Sequence, residues 1–230
     1  MRKLTIIVRN EIDNYRKNIA ILAIVVLPIF MSKMISYTMH VAGQETFLLS
    51  VWILFAQLMV GIMLTGPNLV EEREMRTFDA LLCTPVSFRF IILSKGLATL
   101  CVSIVCQLCV YILNTELSSS LLLVLIPMVV GGSIFTLVGI VIGLKVNSSQ
   151  TCAAVASTVM VVLFIVVSVY QAFPDWLQTC MVLIPSISVA GIINDLMQGQ
   201  VVSWIEVGIT TIWLVMFLLW VRRIEKLWTR

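Results

Sequence analysis

The sequence contains little charge. Of its 230 residues, 12% are Asp, Glu, Lys or Arg and 60% are hydrophobic, whereas soluble domains average about 25% charged and about 45–50% apolar residues. Both departures favour a polytopic helical membrane protein. A chain of 230 residues that crosses a membrane several times leaves no room for a separate soluble domain of about 100 residues. Any nucleotide-binding or catalytic domain is therefore expected on another chain.

Several chemical groupings are also missing. The single histidine, His40, is expected at an outer edge with no buried acid beside it, which argues against an intramembrane enzyme. No G-x-x-x-x-G-K-[ST] motif occurs, so the chain is not expected to bind ATP or to be an enzyme. No basic stripe lies outside the membrane flanks, so we expect no nucleic-acid partner. The six cysteines are expected to be small buried hydrophobes, and no metal site is predicted.

Long apolar runs are what the chain does have. About 21 residues at 1.5 Å each reach roughly 30 Å, which is enough to cross the hydrocarbon core. We predict an all-α membrane protein, one domain over 1–230, with six transmembrane helices. The spans are placed at about 18–39, 47–70, 90–113, 121–144, 151–173 and 201–221.

Two further segments flank or interrupt these runs. Residues 1–17 place apolar side chains at helical spacing opposite a basic face, which predicts an amphipathic helix lying in the membrane interface. The stretch from Pro174 to Gly199 is only mildly apolar and is broken by Pro174, Pro185 and Gly191. It is predicted to be one or two short helices forming a re-entrant stretch at the outer interface.

The basic residues predict the orientation. With six spans, both termini lie on one side, and that side holds fourteen of the fifteen Lys and Arg residues, Lys33 being the exception. The positive-inside rule makes this side cytoplasmic. We therefore expect a multi-pass protein of the cell inner (cytoplasmic) membrane with both termini in the cytoplasm.

One stretch carries six charges in nine residues, from Glu71 to Asp79. Charges of this kind cost roughly 2.5–3.5 kcal/mol each at the bilayer centre, so the stretch must lie outside it. The stretch is predicted to form a helix, because Asn68 and Glu71 have the spacing of a capping arrangement at its start. Pro85 is expected to end this helix. An apolar face on this predicted cytoplasmic helix consists of Met75, Phe78, Leu81 and Leu82. Such a helix suits docking onto a protein partner better than lying on an anionic membrane surface.

This stretch resembles the signature loop of type-2 ABC exporter permeases, the ABC-2 membrane-domain family. The resemblance is carried by Glu71-Glu72-Arg73-Glu74, Thr77, Leu81-Leu82-x-Thr84-Pro85-Val86-Ser87 and Lys95. Arg76 stands where the family usually has a glycine. The small-residue run and polar turn at 139–150, the stretch 183–199 and the N-terminal helix are similar to family features too. The resemblance therefore covers nearly the whole chain.

The resemblance implies a mechanism. Two permeases would pair as a homodimer or heterodimer, and each would dock on an ATP-binding cassette ATPase subunit that holds ATP and Mg²⁺. The helix between the second and third spans would be the coupling helix, and the N-terminal helix the connecting helix. The implied coupling residues are Glu71, Glu72, Arg73, Glu74, Met75, Phe78 and Leu82.

The resemblance also places the substrate pathway at the dimer interface, lined mainly by the second and fifth spans. Candidate lining residues are Phe55, Gln57, Met59, Met63, Thr158, Met160, Phe164 and Ser168. Their apolar character suits a hydrophobic or amphipathic compound, such as an antimicrobial peptide or drug exported for self-immunity or resistance.

Other functions stay open. The substrate could be a lipid-linked glycan. A secondary transporter would need an intramembrane carboxylate, and Glu206, close to the end of a span, is the nearest candidate. A non-transporting membrane sensor subunit is compatible with the same sequence. Membrane lipids are expected partners in every case.

Overall fold

The computed structural model describes residues 2–38, 45–75, 88–115 and 121–228, and these ranges contain helices, turns and bends but no strand. The helices are α1 (Arg2–Lys17), α2 (Ile19–Thr38), α3 (Glu45–Leu58), a π-helical segment (Met59–Leu64), α4 (Thr65–Glu74), α5 (Phe88–Asn114), α6 (Leu121–Lys145), α7 (Ser149–Ser168), α8 (Asp175–Met181), α9 (Pro185–Gln198) and α10 (Trp204–Trp228). A 3₁₀ turn, Tyr170–Ala172, follows α7.

Six helical stretches within the described ranges are long and apolar enough to cross a membrane. They are α2, the continuous stretch Glu45–Glu74, α5, α6, α7 and Trp204–Ile224 of α10. The predicted all-α class and the multi-pass membrane character are thereby confirmed. Each span overlaps the range expected from the apolar runs.

The second span, Glu45–Glu74, is the centre of the bundle. In an 18-residue stretch of this span 78% of the residues are buried, against 17% in α2 and 22% in α7. It packs against α2, α5, α6, α7 and α9. The spans at the periphery instead expose apolar faces, including Phe30 of α2 and Ile165 of α7, as lipid-facing or partner-facing helices do.

The prediction that a separate helix begins at Asn68 is wrong. Asn68 lies inside α4, which continues the second span, and the residue before α4, Leu64, has helical φ and ψ angles with no side-chain cap. Pro67 removes one backbone N–H donor but does not end the helix, because it follows the π-helical segment Met59–Leu64, where the regular α-helical hydrogen bonding is already interrupted. The helix ends at Glu74, and the predicted coupling helix, 71–84, lies outside the described residues from residue 76 onwards.

A seam of glycines joins the second span to α6. A Cβ built on Gly139 would lie 2.6 Å from the carbonyl oxygen of Gly61, and one on Gly143 would lie 2.8 Å from that of Gly66. Gly139 and Gly143 are four residues apart in an α-helix, whereas Gly61 and Gly66 are five apart across the π-helical segment. Since a π-helix bonds residue i to i+5, the wider turn brings both glycines to the same face.

The stretch between α7 and α10 contains two helices. The axes of α8 and α9 meet at a bend of 105°, and α9 packs against α3, α6 and α10. Pro185 is the first residue of α9, and Gly199 ends it in the left-handed conformation at φ 68°. The expectation that Gly191 breaks the stretch is wrong, since Gly191 lies inside α9. Its missing side chain leaves room for the carboxylate of Glu206, 2.6 Å from a Cβ built there.

Candidate functional site

Three charged side chains meet at the end of the bundle where the second span ends and α5 begins, which we call the basic end. The Lys95 ammonium donates hydrogen bonds to Glu11 Oε1 at 2.7 Å and to Glu72 Oε1 at 2.5 Å. Lys95 is only 4% exposed and Glu11 only 8%. We call these three residues the Lys95 cluster. It joins α1, α4 and α5 at one point.

Because the Lys95 cluster is largely buried, its loss and its presence affect the stability of the fold unequally. A buried ion pair contributes little relative to apolar packing, but removal of one partner leaves an uncompensated buried charge at a cost of about 3–5 kcal/mol. The lysine faces two carboxylates, so loss of its charge would leave two acids in mutual repulsion. The cluster therefore specifies one relative position of the three helices more than it adds to stability.

A second set of polar contacts extends the same junction. The Tyr15 hydroxyl of α1 lies 3.3 Å from Thr99 Oγ1 of α5, and Asn68 Nδ2 of α4 donates to the Tyr15 hydroxyl at 3.4 Å. Tyr15 is 4% exposed. Burial raises the pKa of its phenol above the ordinary value, so the hydroxyl stays protonated at neutral pH. Helix α1 is thus attached to the end of the second span and to α5.

The two residues after Glu72 contact the opposite side of the span's end. Arg73 Nη1 donates to the carbonyl oxygens of Gly143 and Val146 at 3.1 and 3.3 Å, at the C-terminal end of α6. Glu74 Oε1 accepts the backbone N–H of Ser149, the first residue of α7, at 3.0 Å. A cation at a helix C-terminus and an anion at a helix N-terminus both match the helix dipole.

These contacts show where the structure places the predicted coupling residues. Glu72 and Arg73 are half-buried, and their side chains bind within the chain. Glu71 and Met75 are exposed, Met75 by 68%, and are available to a partner. Phe78 and Leu82 lie outside the described residues.

The predicted pathway residues do not form one surface. Gln57 is fully buried and donates to Gln107 Oε1 of α5 at 2.8 Å, away from α7. Met59 and Met160 are buried at 6% and 7% exposure. The structure does bring Phe55 and Phe164 together, with ring centroids 4.7 Å apart.

The remaining pathway candidates are exposed or half-buried. Thr158 and Ser168 are exposed on α7, with their hydroxyls bonded to carbonyls of their own helix. Met63 is half-buried in the π-helical segment. Trp52, which the sequence did not single out, packs edge-on against Phe55 at 5.6 Å.

Sequence reasoning missed Glu11 and the role of Lys95 as its partner. The signal for Glu11 was its position, three residues after Val8 and four before Tyr15, within the apolar stripe of α1. An acid on an apolar face and a lysine seven residues into a span both require a partner. Their pairing could have been proposed on that ground.

A known protein family matches most of the chain. The family described as ABC-2 family transporter protein matches residues 6–221, which covers all six spans as far as Val221 of α10. None of the curated proteins compared with the chain matches it. The family comprises membrane parts of ABC transporters, whose partners in general are ABC ATPases. The chain therefore belongs to the ABC-2 transporter family.

Proposed function

We propose that this chain is the membrane-spanning subunit of an ATP-driven exporter, and that force enters it through the segment that follows α4. The observation that carries the proposal is the Lys95 cluster, together with the contacts of Arg73 and Glu74. They fasten the last turn of the second span to α1, α5, α6 and α7. The charged segment 76–87 follows that turn directly in the sequence.

A helix end fastened on several sides transmits displacement instead of fraying. When a docked ATPase subunit moves the segment after α4, the end of the second span would carry α1 and α5 with it as one body. ATP, bound with Mg²⁺ on the ATPase, can drive this change only if it binds the two conformations with different affinity. Exposed Glu71 and Met75, with Phe78 and Leu82 beyond, would contact the ATPase.

The orientation follows from the same end of the molecule. With fourteen of fifteen basic residues on one side, the basic end would face the cytoplasm and both termini would lie there. Reporter fusions at each terminus, active only in the cytoplasm, test this. A periplasmic or extracellular signal from either fusion would contradict it.

A second permease copy or homologue would complete the pathway. The face of α7 that carries half-buried Phe164 and exposed Thr158 and Ser168 would contribute to it. That face suits a hydrophobic or amphipathic substrate such as an antimicrobial peptide or drug. Export of such a compound by vesicles containing both subunits, and growth protection of cells that carry them, would support this substrate class.

Two glutamates at opposite ends of the second span provide the test of coupling. Glu72→Gln weakens the Lys95 cluster, whereas Glu45→Gln removes an equal charge from an exposed position at the other end of the span. In the complex with its ATPase subunit, we expect Glu72→Gln to lower transport-coupled ATP hydrolysis several-fold and Glu45→Gln to leave it close to the unmodified rate. The same rates are measured for Phe78→Ala. Normal export by a correctly inserted Glu72→Gln/Phe78→Ala double variant would contradict the assignment.

A further inference from the structure

A groove of about 920 Å³ opens between α5 and α10, with α6 as its floor. None of its lining residues belongs to the Lys95 cluster or to α7. Its walls are mostly aliphatic, and Gly96 on α5 and Ser133 on α6 leave it deep. The volume is within the usual range for a ligand site, about 300–1,000 Å³.

The charge of the groove is confined to its mouth. Arg89 of α5 and the adjacent Arg222 and Arg223 of α10 line it at the basic end, and the lining side chains that the structure describes include no acid. All three arginines are exposed. Lys145 lies beside this mouth, with its ammonium 4.6 Å from the centroid of the Trp220 ring. The arrangement is complementary to an anionic group, and guanidinium groups bind phosphate in a bidentate manner.

The length of the groove matches one leaflet. From Arg89 to Leu100, α5 rises about 16 Å, and from Arg223 back to Leu214, α10 rises about 14 Å at 1.5 Å per residue. Half of a hydrocarbon core is about 15 Å. The basic mouth therefore lies at headgroup level when the aliphatic part lies at acyl-chain level.

We propose that this groove is a specific binding site for an anionic phospholipid, with the phosphate held by Arg89, Arg222 and Arg223 and an acyl chain along α6. Basic pockets between transmembrane helices are suited to such headgroups. The lipid comes from the leaflet that meets the basic end, which is the inner leaflet in the orientation proposed above. The site does not depend on export or on the ATPase, because all of its lining residues belong to this chain.

The experiment measures the binding of phosphatidylglycerol to the purified, delipidated full-length protein by native mass spectrometry, with phosphatidylcholine as the uncharged comparison. Arg89→Gln/Arg222→Gln/Arg223→Gln removes the mouth charges. Arg9→Gln/Arg16→Gln/Lys17→Gln is the matched control, because it removes three exposed charges from α1. At about fivefold for each arginine, we expect the first variant to bind phosphatidylglycerol at least tenfold more weakly and the control to bind it nearly as the unmodified protein does.

A second pair of variants tests the groove itself. Leu97→Trp fills it from α5, and Leu22→Trp adds the same bulk to the exposed face of α2. We expect only Leu97→Trp to reduce lipid binding, with thermal unfolding midpoints confirming that both variants fold. Excess inorganic phosphate should not displace the lipid, because a free phosphate ion has no acyl chain and cannot make the contacts with the aliphatic part of the groove.

Three results would overturn the proposal. The first is equal binding of phosphatidylglycerol by the triple arginine variant and its control. The second is displacement of the lipid by inorganic phosphate alone, which would make the mouth a simple anion site. The third is a Leu97→Trp protein that keeps its lipid but loses a dimeric mass, which would assign the groove to a second copy of the chain.

Discussion

The two ends of the bundle differ in whether their buried carboxylates are paired with a cation. At the basic end the Lys95 ammonium binds two carboxylates, and Arg73 and Glu74 bind the ends of neighbouring helices. At the opposite end Glu206 lines a cavity of about 190 Å³ together with Asp195, and none of the described residues that line it is basic. One carboxylate oxygen of Glu206 is buried without a hydrogen-bond partner among the described residues.

The difference indicates where the fold is rigid. Paired charges fix helix ends in one arrangement, and loss of either partner is costly. A carboxylate beside a polar cavity has no fixed partner to lose, so α9 and α10 can shift relative to each other at little electrostatic cost. We therefore expect the basic end to move as a unit and the opposite end to adapt its packing.

The largest expected effect comes from Lys95→Met, which removes the ammonium that binds the carboxylates of Glu11 and Glu72. We expect a loss of about 3–5 kcal/mol in the free energy of unfolding, measured by denaturation in detergent micelles. Glu206→Gln, its counterpart at the opposite end, should change that value by less than about 1 kcal/mol. Similar losses for the two variants would remove the contrast between the ends.

The next largest effect is expected from alanine substitution of two glycines at which an added Cβ would lie equally close to a neighbouring oxygen. A Cβ would lie 2.6 Å from the Gly61 carbonyl oxygen at Gly139 and 2.6 Å from Glu206 Oε1 at Gly191. Backbone cannot yield, whereas the end of a flexible side chain beside a cavity can. Gly139→Ala should destabilise the protein by about 1–3 kcal/mol, and Gly191→Ala by clearly less, in the same unfolding assay.

Gly208→Ala is the control for that pair, because nothing lies within 4 Å of a Cβ built on Gly208 in α10. It should leave stability unchanged or raise it by up to about 1 kcal/mol, the helix propensity difference between glycine and alanine. A larger loss at Gly191 than at Gly139 would show that the opposite end is packed as rigidly as the seam.

The smallest effect concerns the Tyr15 hydroxyl. Tyr15→Phe removes the contacts with Thr99 and Asn68, which should cost about 1 kcal/mol near neutral pH. Because burial raises the pKa of this phenol above its ordinary value of 10.0, the unfolded chain loses the proton first as pH rises past that value. Above that pH the free energy of unfolding falls for the unmodified protein but not for Tyr15→Phe. The difference in the free energy of unfolding between the two proteins should therefore become smaller at alkaline pH. Unfolding midpoints on both sides of pH 10 measure it, and a widening difference would contradict the assignment.

The sequence was sufficient for the spans because an apolar run of about 20 residues has few alternatives to a transmembrane helix. It was insufficient for the rotation of each helix. Gln57 was expected at the pathway, yet it contacts Gln107 between α3 and α5. In the second span nearly every position is apolar, and since lipid and protein interior are equally apolar, periodicity does not reveal which face points where.

Local rules also failed where tertiary packing overrode them. Pro67 and Asn68 have the residue types of a helix start, but the preceding π-helical segment lets the span continue through them. Glu11 was not singled out from the sequence, although its neighbours at helical spacing are apolar. In both cases the answer depended on a contact with another helix, here α6 and α5, that no local window contains.

The π-helical segment in the second span also determines an angle. One residue more than an α-helix would need is accommodated between Met59 and Leu64, and each residue of an α-helix turns the chain by about 100°. Deletion of a single residue there would convert the turn to α-helix and swing everything after it around the helix axis by roughly that angle. Glu72 would then point away from Lys95, and Arg73 away from α6, although neither side chain had been altered. The direction in which Glu72 and Arg73 point is therefore determined by the π-helical segment, about ten residues before them in the sequence.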